Sequence, residues 1–222
     1  TLYQIDAATG AIDFYTLLPQ ITYKMCGNTV IVPDIFGTGI HGIYVLMWDR
    51  PDYDATPPIV FGIQVNTITE AASVAWSTPS TYTGAEVGYL AWWSYSHLMY
   101  NEVTNHIYVY TNENSFGYEF HSYDALTGAL PTSFGDAGDD WDKGYYQTGA
   151  IDFDGQRIIT GGRNGRFLTY ADDGFGGISY TGPILHTDVW DHPRQFVQLL
   201  QDDDHTLAVT STSGIGTGLC HA

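Results

Sequence analysis

One turn sequence recurs along this chain and limits what it can fold into. Ile5-Asp6-Ala7-Ala8-Thr9-Gly10-Ala11-Ile12 is matched at Tyr123-Asp124-Ala125-Leu126-Thr127-Gly128-Ala129-Leu130, with Asp, Ala, Thr, Gly and Ala at the same five places. A looser copy, Val65-Asn66-Thr67-Ile68-Thr69-Glu70-Ala71-Ala72, has Asn for Asp and Glu for Gly. A fourth, altered copy starts at Asp172 and reads Tyr170-Ala171-Asp172-Asp173-Gly174, followed by Gly177-Ile178. The chemistry is that of a tight antiparallel connection. The Asp or Asn side chain caps the turn, and Gly takes a positive φ at little cost.

Each copy follows a run rich in aromatic and β-branched residues: Leu2 to Ile5, Val60 to Val65, Tyr118 to Tyr123, and Arg166 to Tyr170. Such runs read as strands. Further extended segments lie upstream. Ala150 to Phe153, Arg157 to Thr160, Arg166 to Tyr170 and Ile178 to Tyr180 are separated by turn residues at Asp154-Gly155 and Gly161 to Gly165, which predicts a four-strand meander. No segment has the 3.6-residue apolar period of an amphipathic helix. The expected fold class is all-β.

The copies stand roughly 50 to 60 residues apart, and repetition on that scale marks a solenoid, a propeller or an array. Near the C-terminus, Phe196 to Leu200 and Thr206 to Thr210 read as the first two strands of a repeat, while the N-terminus opens on a third and fourth. The expectation is one domain over residues 1–222, a single closed β-propeller of four blades. Its last blade would be shared by both termini, with Leu2 to Ile5 beside Thr206 to Thr210. Five blades are the alternative count, because these repeats exceed the roughly 40–45 residues of a compact blade.

The turn pattern resembles the repeat of quinoprotein-like (PQQ-like) propellers and of related bacterial surface-layer propellers, most closely at Asp6 to Gly10 and Asp124 to Gly128. What the resemblance implies is architecture. Quinoprotein dehydrogenases use a vicinal disulfide, which two cysteines far apart in sequence cannot supply, so no quinone cofactor is expected.

Composition narrows the partners. Seven Lys and Arg against 25 Asp and Glu give a formal charge of −18, which repels nucleic-acid backbones and anionic membranes. No stretch approaches the ~20 apolar residues of a membrane-spanning helix. The chain opens at Thr1, which suits a processed precursor, and Cys26 and Cys220 are placed to form a disulfide in an oxidising compartment. An extracellular or cell-surface location is therefore expected.

Two loops repeat a second pattern, Asp139-Asp140-Trp141-Asp142-Lys143 and Asp188-Val189-Trp190-Asp191-His192. A Trp face beside a carboxylate can stack on a sugar ring and accept its hydroxyl protons. Trp141, Asp142, Trp190 and Asp191, with Tyr145 and Tyr146 close by, are the candidate ligand-binding residues. Asp152-x-Asp154-Gly155, Asp172-Asp173-Gly174 and Asp202-Asp203-Asp204 raise a calcium reading. Each is short of the six to eight oxygens the ion needs and reads equally as a hairpin turn. No nucleophile elbow, zinc spacing or defensible carboxylate pair stands out, so no catalytic residue is assigned.

The sequence thus points to a secreted, non-catalytic interaction or structural module, able to associate with itself or with other extracellular proteins. A carbohydrate-binding propeller is the first alternative, and a glycoside hydrolase or lyase the second. If the Trp-Asp loops bind glycans, Trp141→Ala and Trp190→Ala should each abolish binding on a glycan array. Binding that survives both substitutions would end that reading.

Overall fold

A computed structural model of the chain describes residues 2–16, 25–48, 59–79, 97–113, 117–129, 135–136, 149–151, 155–161, 167–184, 194–201, 206–212 and 217–221. Every regular element among them is a strand, and every strand pairing is antiparallel. The strands form five separate sheets in chain order.

The first sheet is a hairpin, β1 (Leu2–Ile5) with β2 (Ile12–Thr16). The second is a meander of β3 (Met25–Val32), β4 (Ile40–Trp48), β5 (Ile59–Asn66) and β6 (Ala71–Pro79). The third holds β7 (His97–Asn101), β8 (His106–Glu113), β9 (Gly117–Asp124) and the short β10 (Gly135–Asp136). The fourth holds β11 (Gly149–Ile151), β12 (Arg157–Gly161), β13 (Phe167–Asp172) and β14 (Ile178–Ile184). The fifth has three strands, β15 (Arg194–Gln201), β16 (Thr206–Thr212) and β17 (Thr217–His221). The meander read from Ala150 to Tyr180 is present as the fourth sheet.

The expected sharing of a sheet between the chain ends is not what forms. β16 pairs with β17, Ala208 opposite Cys220 and Thr210 opposite Gly218, while β1 pairs with β2 in a sheet of its own. The physical reason is loop closure. A third strand was available a few residues downstream, and closing that short connection costs far less chain entropy than bringing the two termini together. Cys26 lies in β3 and Cys220 in β17, strands of different sheets; their side chains lie outside the described residues.

Strand composition explains how the sheets stack. β5 is apolar on both faces, with Val60 turned one way and Phe61, Ile63 and Val65 the other, all at most 6% exposed. A strand of that kind belongs to a sheet covered on both sides. On one side, Tyr44, Leu46, Val60 and Trp76 of the second sheet pack with Leu98, Ile107, Val109, Tyr123 and Ala125 of the third. Met99 and Tyr108 of the third then pack with Ile158, Tyr170 and Ile178 of the fourth. The fifth sheet follows, β15 lying against β11 and β12.

Trp76 is the centre of the contact between the second and third sheets. Its indole stacks on Tyr123, with centroids 6.4 Å apart, and tilts against Tyr44 at 5.8 Å. It lies so close over Gly62 and Gly128 that a Cβ on either would stand 2.3 Å or 2.4 Å from a ring atom. Its Nε1–H donates to the carbonyl of Ala125 at 3.0 Å, and the Tyr44 hydroxyl donates to the same oxygen at 2.9 Å.

Gly10 and Gly128 occupy the same turn position with nearly equal dihedrals, φ +72° and +70°, yet nothing lies within 4 Å of a Cβ at Gly10. The pair separates backbone strain from packing. Gly10→Ala should cost about 1–2 kcal/mol for the left-handed conformation alone. Gly128→Ala should add about 1–3 kcal/mol of overpacking against Trp76. Denaturant midpoints for the two variants test this, and equal losses would show that the indole does not read the glycine.

Candidate functional site

The turn after the third strand of each full sheet lies at the same end as the turn after its first. Backbone bonds join them: Thr67 N–H to Gly39 O, Ala125 N–H to Asn105 O, and Asp172 N–H to Gln156 O. Each sheet therefore has a turn end, and the recurring turn sequence is found there.

The turns share one geometry. Asp6 Oδ1 accepts the N–H groups of Ala8 and Thr9 at 3.0 Å and 2.6 Å, and the Thr9 hydroxyl at 2.7 Å. Asp124 Oδ1 repeats this with Leu126 and Thr127 at 3.1, 2.8 and 2.7 Å. Asn66 Oδ1 accepts from Ile68 and Thr69. The hydrogen bonds from Thr9 hold the Asp6 carboxyl below its ordinary pKa of 3.8, so this surface turn keeps its anionic cap at neutral pH. Because the folded value is the lower one, the contribution is lost only as the pH falls through it.

In the fourth sheet two aspartates cap the turn: Asp172, where the sequence pattern placed the cap, accepts Gly174 N–H at 2.8 Å, and Asp173 caps one residue later. Asp173 Oδ1 accepts from Phe175 N–H at 2.7 Å and from Gly177 N–H at 2.9 Å. Asp172 serves two tasks with its two oxygens. Its Oδ1 accepts Gly174 N–H, while its Oδ2 accepts the Tyr108 hydroxyl and, at 2.9 Å, the Asn101 amide. Asn101 is 1% exposed and also donates to Gly155 O, and Ser122 donates to Gly176 O. Burial, and then the bond to Asp172, push the Tyr108 phenol well above its ordinary range, so it stays a neutral donor. Burial likewise raises Tyr44, with Tyr100 and Asp124 adding to it.

Tyr44 and Tyr108 do the same work in successive sheets, reaching from the second strand to the third-strand turn of the sheet that follows. The signal in the sequence was Ile43-Tyr44-Val45 repeated as Ile107-Tyr108-Val109. These polar groups are spent on holding one sheet to the next.

What the turns leave free is apolar. In every one of these Asx turns the residue two after the cap directs its N–H inward to the capping oxygen, and its side chain stands in solvent. These residues are Ala8, Ile68, Leu126 and Phe175, and Val103 in the first turn of the third sheet, where Asn101 is the cap. Ile68 is 76% exposed, Val103 60%, Leu126 44% and Phe175 79%. Two of them also lie against glycines, Ile68 over Gly39 and Val103 over Gly155. A single exposed apolar residue means little, but repetition of one at the same turn position is a patterned surface. The sequence carried the signal, since the third residue of the copies reads Ala, Ile, Leu and, with the one-residue offset, Phe.

Trp141, Asp142, Tyr145, Tyr146, Trp190 and Asp191 lie outside the described residues, as do Asp152, Asp154 and Asp202 to Asp204. Of the acidic turns, only Asp172-Asp173-Gly174 is described, and its carboxylates accept from N–H and O–H donors that a cation would have to displace. Among the described residues, no group of three or more His, Cys, Asp or Glu is placed to hold a metal. A cavity of about 240 Å³ opens at the second sheet between Ile40, Gln64, Asn66 and Ser73. It is smaller than the roughly 300–1,000 Å³ of ligand pockets.

No protein-family model and no curated protein matches the sequence. Among solved structures, a protein described as a 6-phosphogluconolactonase from Bacteroides fragilis NCTC 9343 is similar over 68% of this chain and 41% of its own, at 12% identity and a TM-score of 0.43. A glycosyl hydrolase from Bacteroides ovatus is similar over 88% of this chain and 64% of its own, at 9% identity and a TM-score of 0.39. The chain spans less than two thirds of the length of either. Likenesses that weak do not bear on activity.

If Tyr108 and Asp172 join the third and fourth sheets, the double-mutant cycle of Tyr108→Phe with Asp172→Ala should show a coupling of about 1–3 kcal/mol in unfolding free energy. Additive losses would mean that the bond does not contribute.

Proposed function

We propose that this chain is an extracellular, non-catalytic interaction module of propeller type, and that its contact surface is the turn end. The propeller reading is supported by the second, third and fourth sheets being four-strand meanders that follow one another in chain order, with β3, β7, β11 and β15, the first strands of these sheets and of the three-stranded fifth, lying each against the next. The turn residues shared with quinoprotein-like repeats agree with it.

The observation that carries the functional reading is the apolar side chain at the third position of successive Asx turns, Ile68, Leu126 and Phe175, with Val103 beside them. Acidic residues stand in the same turns: Glu70, Glu102, Asp124 and Asp173. Exposed apolar anchors with acidic neighbours have the chemistry of a protein-docking surface. The chain's charge of −18 favours a partner whose own rim is basic.

A photo-crosslinking amino acid tests this. Placed at Phe175 and applied to the extracellular fraction of the cells that make the protein, it should give one defined adduct. The same group at Thr181, exposed on β14, should give none. Equal labelling from both positions, or none from Phe175, would overturn the reading.

A further inference from the structure

The second copy of the recurring turn differs from the others in where it keeps its charge. In the copies at Asp6 and Asp124 the carboxylate is the cap itself, and its Oδ1 accepts two N–H groups and a threonine hydroxyl. In the copy at Asn66 the cap is neutral, and the carboxylate stands four residues on, at Glu70. Glu70 is exposed, and among the described residues it has no hydrogen bond or ion pair.

This placement works against the backbone. Glu70 occupies the position of Gly10 and Gly128, with φ +53° where they have +72° and +70°. The left-handed region suits glycine and, among other residues, chiefly Asn and Asp, which are the types at the two remaining non-glycine positions of this kind, Asp34 and Asn105. Glycine makes the same turn twice elsewhere in the chain without that strain. Strain kept where a fitting residue is at hand points to a use for the side chain.

Beside it opens the cavity of about 240 Å³, and Thr69 and Ala71, the residues on either side of Glu70, both line it. Ile40 and Ala72 give it apolar wall, and Gln64 and Ser73 give it polar wall. Gln64 Nε2 donates to the Ser73 hydroxyl at 2.9 Å, which orients the amide and leaves its carbonyl oxygen with no donor among the described residues. A space below the size of small-molecule pockets still holds one side chain, and interfaces seat their anchoring residues in such pockets.

We propose that this cavity seats one arginine side chain of the protein that docks at the turn end, a partner for which it rests on that reading. The Glu70 carboxylate and the Gln64 carbonyl accept from the guanidinium, while the apolar wall takes the methylene stem. Arginine fits better than lysine because its rigid fork reaches acceptors on two residues at once and sheds its water more readily. The formal charge of −18 draws such a cation to the surface.

The test titrates N-acetylarginine amide into the purified chain and follows the Gln64 side-chain amide by NMR. Saturable shifts should appear with a Kd on the order of a millimolar. Glu70→Gln should bind about fivefold more weakly, and the neutral citrulline analogue should bind wild type more weakly by a similar factor. Glu70→Gly should weaken binding in the same way and yet raise the denaturant midpoint, because glycine relieves the strain.

No saturable shift in wild type would overturn the proposal, as would Glu70→Gln binding as tightly as wild type. A Glu70→Gly variant less stable than wild type would also overturn it, since the glutamate would then serve the fold. Lysine amide binding as tightly as the arginine compound would remove the guanidinium assignment. The titration needs no partner protein, so its failure leaves the Phe175 crosslink standing, and failure of the crosslink leaves the arginine site standing.

Discussion

The Trp76 indole, lying between Gly62 beneath and Gly128 above, is the contact on which the order of the sheets depends. A large aromatic gains most when it is fully covered, and its one polar atom must then find an acceptor. Both conditions are met by the same turn: Gly128 allows the close approach, and Ala125 presents its carbonyl. That oxygen also accepts the Tyr44 hydroxyl, so a buried carbonyl with two lone pairs is satisfied twice by the neighbouring sheet. The turn becomes the part by which one sheet is fixed to the one before.

The same turn solves a second problem at the junction of the third and fourth sheets with different atoms. Tyr108 again reaches from the second strand, but its acceptor is the Asp172 carboxylate, which also takes the Asn101 amide. The second aspartate, Asp173, adds its own turn bonds, while Asp172 closes the turn with Oδ1 and faces the preceding sheet with Oδ2. A buried network of this kind is costly to leave half satisfied, and each donor here has its acceptor. Turn chemistry and sheet stacking are therefore one system. The side chains it leaves to solvent are the apolar tips that the proposed contact surface uses.

The strands were legible in the sequence because β-branched and aromatic runs bounded by Asp, Asn and Gly admit few other conformations. The four-strand meander around Ile158 and Tyr170 forms at nearly the bounds its pattern implies. The fifth sheet was misread. Thr217 to His221 contains Gly218, follows Gly214 and Gly216, and has little β-branched character, so nothing in its composition announced that it would take the edge of β16 in place of Leu2 to Ile5. The sharing of the fourth turn was also hidden, since nothing in the sequence says that both adjacent aspartates accept turn N–H groups.

By itself the sequence determined local matters: which segments extend, where they reverse, and which oxygen caps each reversal. These depend on residues a few places apart, and their energetics are contained in the pattern. Only the tertiary structure decided which face of each strand is covered, and that the second oxygen of Asp172 serves the neighbouring sheet. Burial is a property of what lies opposite. Residues as far apart as Tyr44 and Ala125, or Tyr108 and Asp172, meet only when one complete sheet is laid on the next.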